Sequence, residues 1–424
     1  MKKLVRVVVA LAVLALGVVI APPAHAKAPA PPLSYTPPTG AFFNRPNSSN
    51  RADQLILMQQ IMNAVDSVPA GSYIRFVAYS FSYGPMVGHL LDAHKRGVNV
   101  RLLIDSHTET QQIRDLRSGL KATTPWGNKS YLKTCKYSCM SSKPSFIHSK
   151  LYLFSRVGSA THVSMMSSAN VAETGISGSW NNTYTVANNK TLYDANVDNF
   201  NDMLPDTTNT NYYHTVTSGP YKAYFFPRAG SSPTSDTFYN VLSDVSCTGA
   251  TGGYGSDGRT VIKLSTYTWT SLRLYLADKL TELANKGCQI EVVYPGDTVD
   301  KEVQTELLSS KKIKVYNGRN NGRYPHSKYL LINGVYQGVS QKPVYTASQN
   351  LTRTSLRESN EVMLRIDNRH PSTATVYGAY LSNFTAMKSD AVSATSAAAA
   401  ARTTAGVESA SEIANRDNNP DPDE

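Results

Sequence analysis

Residues 146–155 read FIHSKLYLFS, and residues 324–333 read YPHSKYLLIN. Each stretch sets a His-Ser-Lys triplet, His148-Ser149-Lys150 or His326-Ser327-Lys328, at the head of an apolar run. On a β-strand, residues two apart share a face, so each His points the same way as its Lys. One such pair is commonplace. Two in register mark a duplicated unit, and the sequence around them repeats too.

Upstream, IRFVAYSF from Ile74 is echoed by IKLSTYTW from Ile262, and HKRGVNVRLLID from His94 by ANKGCQIEVVYP ending at Pro295. Further out, Phe42-Phe43-Asn44-Arg45-Pro46 is echoed by Phe225-Phe226-Pro227-Arg228. Downstream, SSANVAET from Ser167 is echoed by ASQNLTRT from Ala347. The period is far longer than that of a solenoid. Each unit has one grammar. A helix such as Asp53 to Val65 carries Leu55, Met58, Met62 and Val65 at helical spacing. A β-rich run follows, then an amphipathic helix stopped at Gly97 or Gly287, a second buried strand and the His-x-Lys strand. Strands alternating with helices predict an α/β fold: two tandem units, each a mixed, mainly parallel sheet flanked by helices, related by a pseudo-twofold axis.

Each unit then supplies an Asn in a loop of small residues, Asn170 lying 22 residues beyond His148 and Asn350 lying 24 beyond His326. A His, a Lys and an Asn make a nucleophile or acid with two donors for phosphate oxygens. Two such sets meeting at the pseudo-twofold would form one site with two histidines. His89, His94, His107, His162, His214 and His370 do not repeat in this way and read as ordinary surface or packed residues.

Over residues 40–388 the chain resembles the phospholipase D superfamily. That family carries two HxKxxxxD motifs, each followed by a G/S-S/G-x-N element. HSKLYLFS and HSKYLLIN match its His and Lys, while Ser155 and Asn333 stand where the final Asp would be. These positions sit at the far end of the strand, which implies a structural role for them. The tyrosyl-DNA phosphodiesterase branch also lacks this Asp. SSAN matches the later element well and ASQN less well. Eleven residues past each Asn the family places a residue that hydrogen-bonds a catalytic His; here these are Asn181 and Glu361. Counted within each unit, Glu361 belongs beside His326 and Asn181 beside His148. A carboxylate would favour imidazolium at His326, a proton donor, and an amide would leave His148 neutral, a nucleophile.

The resemblance implies a two-step phosphodiester cleavage through phosphohistidine. The catalytic set is His148, Lys150, Asn170, His326, Lys328, Asn350 and Glu361. No cofactor and no metal are expected, since no HExxH, EF-hand loop or Asp cluster appears. The substrate expected first is a phospholipid at a membrane or micelle surface, cleaved as by a phospholipase D to phosphatidic acid and a free head group. The alternative is a secreted nuclease or other phosphodiesterase of the same superfamily, with nucleic acid as substrate. A binding module without catalysis is a third class, against which the intact His, Lys and Asn of both halves argue. No obligate protein partner is evident.

Composition and ends set the context. The 424 residues hold 42 Lys+Arg against 31 Asp+Glu, and 41% are hydrophobic, enough for a core and against a wholly disordered chain. Residues 1–26 read as an export signal, with Lys2, Lys3 and Arg6 before an apolar run and Ala24-His25-Ala26 as the cleavage site. The protein is therefore expected to be secreted and extracellular. Residues 27–40 read as a Pro-rich linker, 41–215 and 216–390 as the two units, and 391–424 as a disordered acidic tail. Residues 27–390 are basic by about +12, which favours an anionic partner. Four cysteines in an exported chain suggest disulfides, Cys135–Cys139 and Cys247–Cys288 being the pairing that closes within each half. The 106–145 insertion, with Trp126, reads either as lining the site's mouth or as a disulfide-closed surface loop.

Overall fold

The computed structural model describes residues 35–393. The expected export signal, most of the expected linker and most of the expected acidic tail lie outside these described residues. Asn50 accepts the backbone N–H of Ala52 and starts the helix Arg51–Asp66, which buries Leu57, Met58, Ile61, Met62 and Val65. The side-chain oxygen satisfies a donor that the helix itself cannot. Strand Tyr73–Ala78, helix Gly84–Lys95 and strand Asn99–Asp105 make a crossover whose strands pair in parallel, Tyr73 opposite Asn99. Strand Val261–Ser265, helix Tyr275–Asn285 and strand Gln289–Tyr294 repeat it, Val261 opposite Gln289. Gly97 and Gly287, just past the two helices, have φ of 90° and 101°. A Cβ would oppose that left-handed exit, which explains the stop that the sequence pattern places there.

The sheets are mixed, as expected, and the parallel register is confined to three adjacent strands in each. In the seven-stranded first sheet, Tyr131–Cys135 adds in parallel to Asn99–Asp105, while Lys150–Val157 and Ala160–Ser167 continue antiparallel. In the eleven-stranded second sheet, Lys328–Tyr336, Val344–Ala347, Val362–Ile366 and Tyr221–Phe225 do the same. Antiparallel pairings therefore outnumber parallel ones, where the sequence pattern suggested the reverse. The reason is connectivity: parallel neighbours need a long crossover, and the second half of each unit is joined by hairpins and short returns.

Side-chain alternation builds the layers. Ile74, Phe76 and Ala78 point into the first unit's own core, while their neighbour Val77 points the other way. In the second unit Leu330 and Ile332 face its own core, and Tyr329 and Leu331 face away. The outward-facing set from both sheets, with Tyr377, Tyr380 and Phe384 of helix Val376–Asp390, forms one core shared by the two units. The units are thus welded across an apolar middle layer, and burial on this scale favours a fixed rather than hinged arrangement.

Three boundaries differ slightly from the sequence-based ones. Tyr35 is half-buried and Thr36 bonds Ser159, so the end of the linker already packs on the first unit. Strand His214–Ser218 pairs with Tyr221–Phe225 in the second sheet, across the expected boundary at 215. Val392–Ser393 pairs with strand Ile313–Asn317, so the folded body runs past 391. Among the described residues no helix is long and apolar enough to cross a membrane.

Candidate active site

Both His-x-Lys strands begin at the carboxyl edge of their parallel strands, the end where open α/β sheets place their ligand sites. Leu151 lies opposite Val77 and Tyr329 opposite Ser265. His148, Lys150, Asn170, His326, Lys328, Asn350 and Glu361 are all nearly or wholly excluded from solvent. So many buried polar groups are costly unless hydrogen bonds compensate them. For the two histidine turns the compensation comes from across the unit boundary.

The backbone N–H groups of His148 and Ser149 both donate to the carbonyl of Asn360, at 3.0 and 2.9 Å. Those of His326 and Ser327 donate to the carbonyl of Trp180, at 3.0 and 2.8 Å. Each His-x-Lys turn is thereby pinned to the segment just before the opposite unit's pairing residue. Glu361 Oε1 accepts from His148 Nδ1 at 2.8 Å, and Asn181 Oδ1 accepts from His326 Nδ1 at 3.0 Å. This overturns the pairing counted within each unit. The spacing places the residue correctly along the chain, but the loop that bears it crosses the pseudo-twofold and serves the other unit's histidine.

The two arrangements are mirrored in detail. Ser348 donates to Glu361 Oε2 and accepts from the N–H of Val362; Ser168 donates to Asn181 Oδ1 at 2.8 Å and accepts from the N–H of Asn182. Asn181 Nδ2 donates to Ser179 Oγ and to the carbonyls of Ser179 and Gly175. Its amide oxygen therefore faces His326, and the network keeps a proton on His326 Nδ1, so that the ring gains and loses its other proton at Nε2. A carboxylate accepts only, so His148 likewise keeps a proton on Nδ1, and the neutral ring presents its lone pair at Nε2.

Lys150 Nζ donates to the His148 carbonyl at 2.9 Å and lies 5.2 Å from the centre of the Tyr79 ring. Lys328 Nζ lies 5.3 Å from the Tyr267 ring. Tyr79 meets His148 edge-on, as Tyr267 meets His326. These tyrosines carry no role in the sequence reading, although they occupy the same sixth place in IRFVAYSF and IKLSTYTW; their repetition was the available signal. Asn350 Oδ1 accepts the N–H of Thr268, and its carbonyl accepts from Arg273, which is clamped by Asp236. The first unit has Pro85 at the Arg273 position, so this strut has no repeat to reveal it.

Ser155 Oγ accepts the N–H of Tyr73, and Asn333 Oδ1 accepts that of Gly255. Both lie at the strand end away from the histidines and tie neighbouring backbone, which is a structural use. The cysteines form Cys135–Cys139 and Cys247–Cys288. The first disulfide loop reaches the second unit: Cys139 N donates to Asn360 Oδ1, and Ser141 donates to Glu358. It braces the segment that presents Glu361, whereas Trp126 is exposed before the opposite end of strand Tyr131–Cys135. The disulfide thus closes only residues 135–139 of the insertion, and Trp126 lies outside that loop.

The family described as "Cardiolipin synthase, PLD-like domain" matches the chain twice, over residues 57–204 and 258–387. Comparison with curated proteins gives no match. Among solved structures, phosphatidylserine synthase of Haemophilus influenzae is similar at 12% identity and a TM-score of 0.55, covering 78% of this chain and 84% of its own. Polyphosphate kinase of Porphyromonas gingivalis is similar at 13% identity and a TM-score of 0.50, over 79% of this chain; the chain spans about half the length of that enzyme, 48%. Yeast tyrosyl-DNA phosphodiesterase gives 13% identity and a TM-score of 0.46, over 78% of this chain and 90% of its own. At these identities the likeness is one of fold.

Proposed function

Because the chain belongs to the phospholipase D superfamily, we propose that it is an exported phosphodiesterase acting on phospholipids, with His148 as nucleophile and His326 as general acid and base. The observation that carries this reading is the pair of buried His-Lys-Asn sets, each histidine held by a side chain from the other unit. His148 Nε2 attacks phosphorus, and the bond to the leaving oxygen breaks as His326 gives that oxygen its proton. A phosphohistidine results. Water, or an alcohol, then loses a proton to His326 and attacks phosphorus, and the P–N bonding pair returns to His148. Lys150, Lys328, Asn170 and Asn350 hold the non-bridging oxygens while charge shifts.

The crossed pairing favours this assignment on a different ground from the one sequence spacing suggested. The nucleophile carries positive charge for the whole life of the N-phosphoryl intermediate, so a permanent carboxylate supports it throughout. The acid must gain and lose a proton each cycle, and the neutral Asn181 oxygen orients it without trapping that proton. Export is supported by the apolar N-terminal run and by two disulfides. The strong positive charge of residues 27–390 favours a second reading, a secreted nuclease. Phospholipid micelles, single-stranded DNA and bis-p-nitrophenyl phosphate, each with EDTA present, separate the two. Head-group release without DNA cleavage supports the lipase, DNA cleavage alone supports the nuclease, and silence on all three contradicts both.

A further inference from the structure

Asp105 and His107 stand beside the catalytic cluster in the first unit only. Asp105 Oδ1 accepts the backbone N–H of His107 and its Nδ1–H, both at 2.9 Å. Asp105 Oδ2 accepts the N–H of Ile147, the residue before His148, at 2.7 Å. Three N–H donors on one carboxylate keep a proton on His107 Nδ1, so the neutral ring presents its lone pair at Nε2. The ring lies flat on Tyr79, with centroids 4.0 Å apart and planes 9° from parallel. Tyr79 in turn touches His148 edge-on at 5.3 Å and lies under Lys150. Asp105 is buried, while the His107 side chain is 19% exposed. The dyad is thus rooted in the protein, and its imidazole reaches solvent next to the site. The corresponding residues of the second unit are Pro295 and Asp297, the latter bonded to Arg319 on the surface.

A duplicated scaffold offers matching phosphate-holding groups on both sides and cannot by itself tell one end of a diester from the other. An imidazole present on one side can. Resting on the phospholipid reading, we propose that His107 determines specificity: its Nε2 accepts a hydrogen bond from a hydroxyl or ammonium of the head group, while Asp105 holds the ring. Such an acceptor suits ethanolamine or glycerol head groups, which carry N–H or O–H donors. It has nothing to accept from the trimethylammonium of choline, and an acceptor left without a donor loses affinity.

The test compares kcat/KM for phosphatidylethanolamine, phosphatidylcholine and bis-p-nitrophenyl phosphate in wild type, His107→Phe and His107→Gln. Phe keeps a ring on Tyr79 and removes the acceptor; Gln keeps an acceptor. The wild type should prefer phosphatidylethanolamine by about tenfold or more, the scale of one good hydrogen bond to a charged donor. His107→Phe should bring the ratio near one, chiefly by raising KM for phosphatidylethanolamine, and the loss there should exceed the loss on bis-p-nitrophenyl phosphate about tenfold. His107→Gln should restore part of the preference. A wild type without preference, a His107→Phe that keeps it, or equal losses on all three substrates overturns the assignment, the last by making His107 a packing residue. A wild type that cleaves bis-p-nitrophenyl phosphate but neither lipid contradicts the phospholipid reading itself, and the proposal falls with it.

Discussion

Glu361 Oε1 lies 2.8 Å from His148 Nδ1, although the two residues come from opposite halves of the chain. The reciprocal bond, Asn181 to His326, has the same geometry and no charge. The two histidines are therefore alike in position and unlike in electrostatics. Glu361→Gln should lower kcat by up to about 10⁴-fold, the loss seen when the carboxylate behind a catalytic imidazole is neutralised. Asn181→Asp should instead move the alkaline limb of the pH–rate profile upward, because a carboxylate favours a protonated ring. Steady-state kinetics from pH 5 to 9 distinguish the two; equal, small effects from both would deny the asymmetry.

Arg273 should matter for both stability and turnover. Its guanidinium is bidentate to Asp236 and donates to the carbonyls of Asn350 and Thr352, and both partners of the pair are buried. Tyr275 adds an O–H bond to Asp236, and burial pushes that hydroxyl up to about 12, so it stays a donor at neutral pH. Arg273→Met leaves Asp236 buried without its cation and should cost about 3–5 kcal/mol. Adding Asp236→Leu should recover much of this in denaturant titrations while turnover stays low, since the Asn350 loop has still lost its donor. Full turnover in the double variant would show that the strut does not position Asn350.

Ser155 and Asn333 should prove structural. Ser155→Ala and Asn333→Ala each remove one side-chain acceptor from a backbone N–H and should lower stability by about 1 kcal/mol. Turnover of a soluble diester should stay within about twofold. A tenfold loss of kcat at unchanged melting temperature would give these positions a chemical role.

Glu291 sets an acid-sensitive contribution. Burial alone would raise its carboxyl, but the ammonium groups of Lys263 and Lys388 hold it below the usual carboxylate range. A depressed carboxylate contributes stability above its unfolded pKa and loses it as pH falls through the folded value. Glu291→Gln should therefore be less stable than wild type by roughly 0.5–1 kcal/mol at pH 7, with the gap closing below about pH 4. Denaturant titrations at the two pH values check this, and a gap that persists in acid would contradict it.

The duplicated grammar was legible because each unit must build the same strand, helix and glycine stop, and those obey local rules. The histidines, lysines and asparagines were legible for the same reason: they repeat. The partner of each histidine was not, since spacing along a chain says nothing about which side of a symmetry axis a loop falls on. Arg273, Asp105 and His107 were hidden because they occur once, and a search for repetition passes over what one half has alone. His107 looked like an ordinary histidine in the sequence, and only its stacking on Tyr79 connects it with the site. The preponderance of antiparallel pairing was signalled only by single turn glycines, Gly158, Gly219 and Gly338, in three hairpins, and the longer strand–helix–strand pattern masked them.

The most direct measurement is which histidine becomes phosphorylated. Wild type, His148→Ala and His326→Ala are mixed rapidly with bis-p-nitrophenyl phosphate, and intact-protein mass is read after an acid-free quench. p-Nitrophenolate leaves without help, so His326→Ala should still complete the first step, give a burst of p-nitrophenol and accumulate phosphohistidine, because the second step lacks its base. His148→Ala should give neither burst nor adduct. With a phospholipid, whose leaving alkoxide needs a proton, His326→Ala should lose about 10²–10⁴-fold in the first step as well. A burst and a phosphorylated protein from His148→Ala, with neither from His326→Ala, would contradict the assignment of His148 as nucleophile.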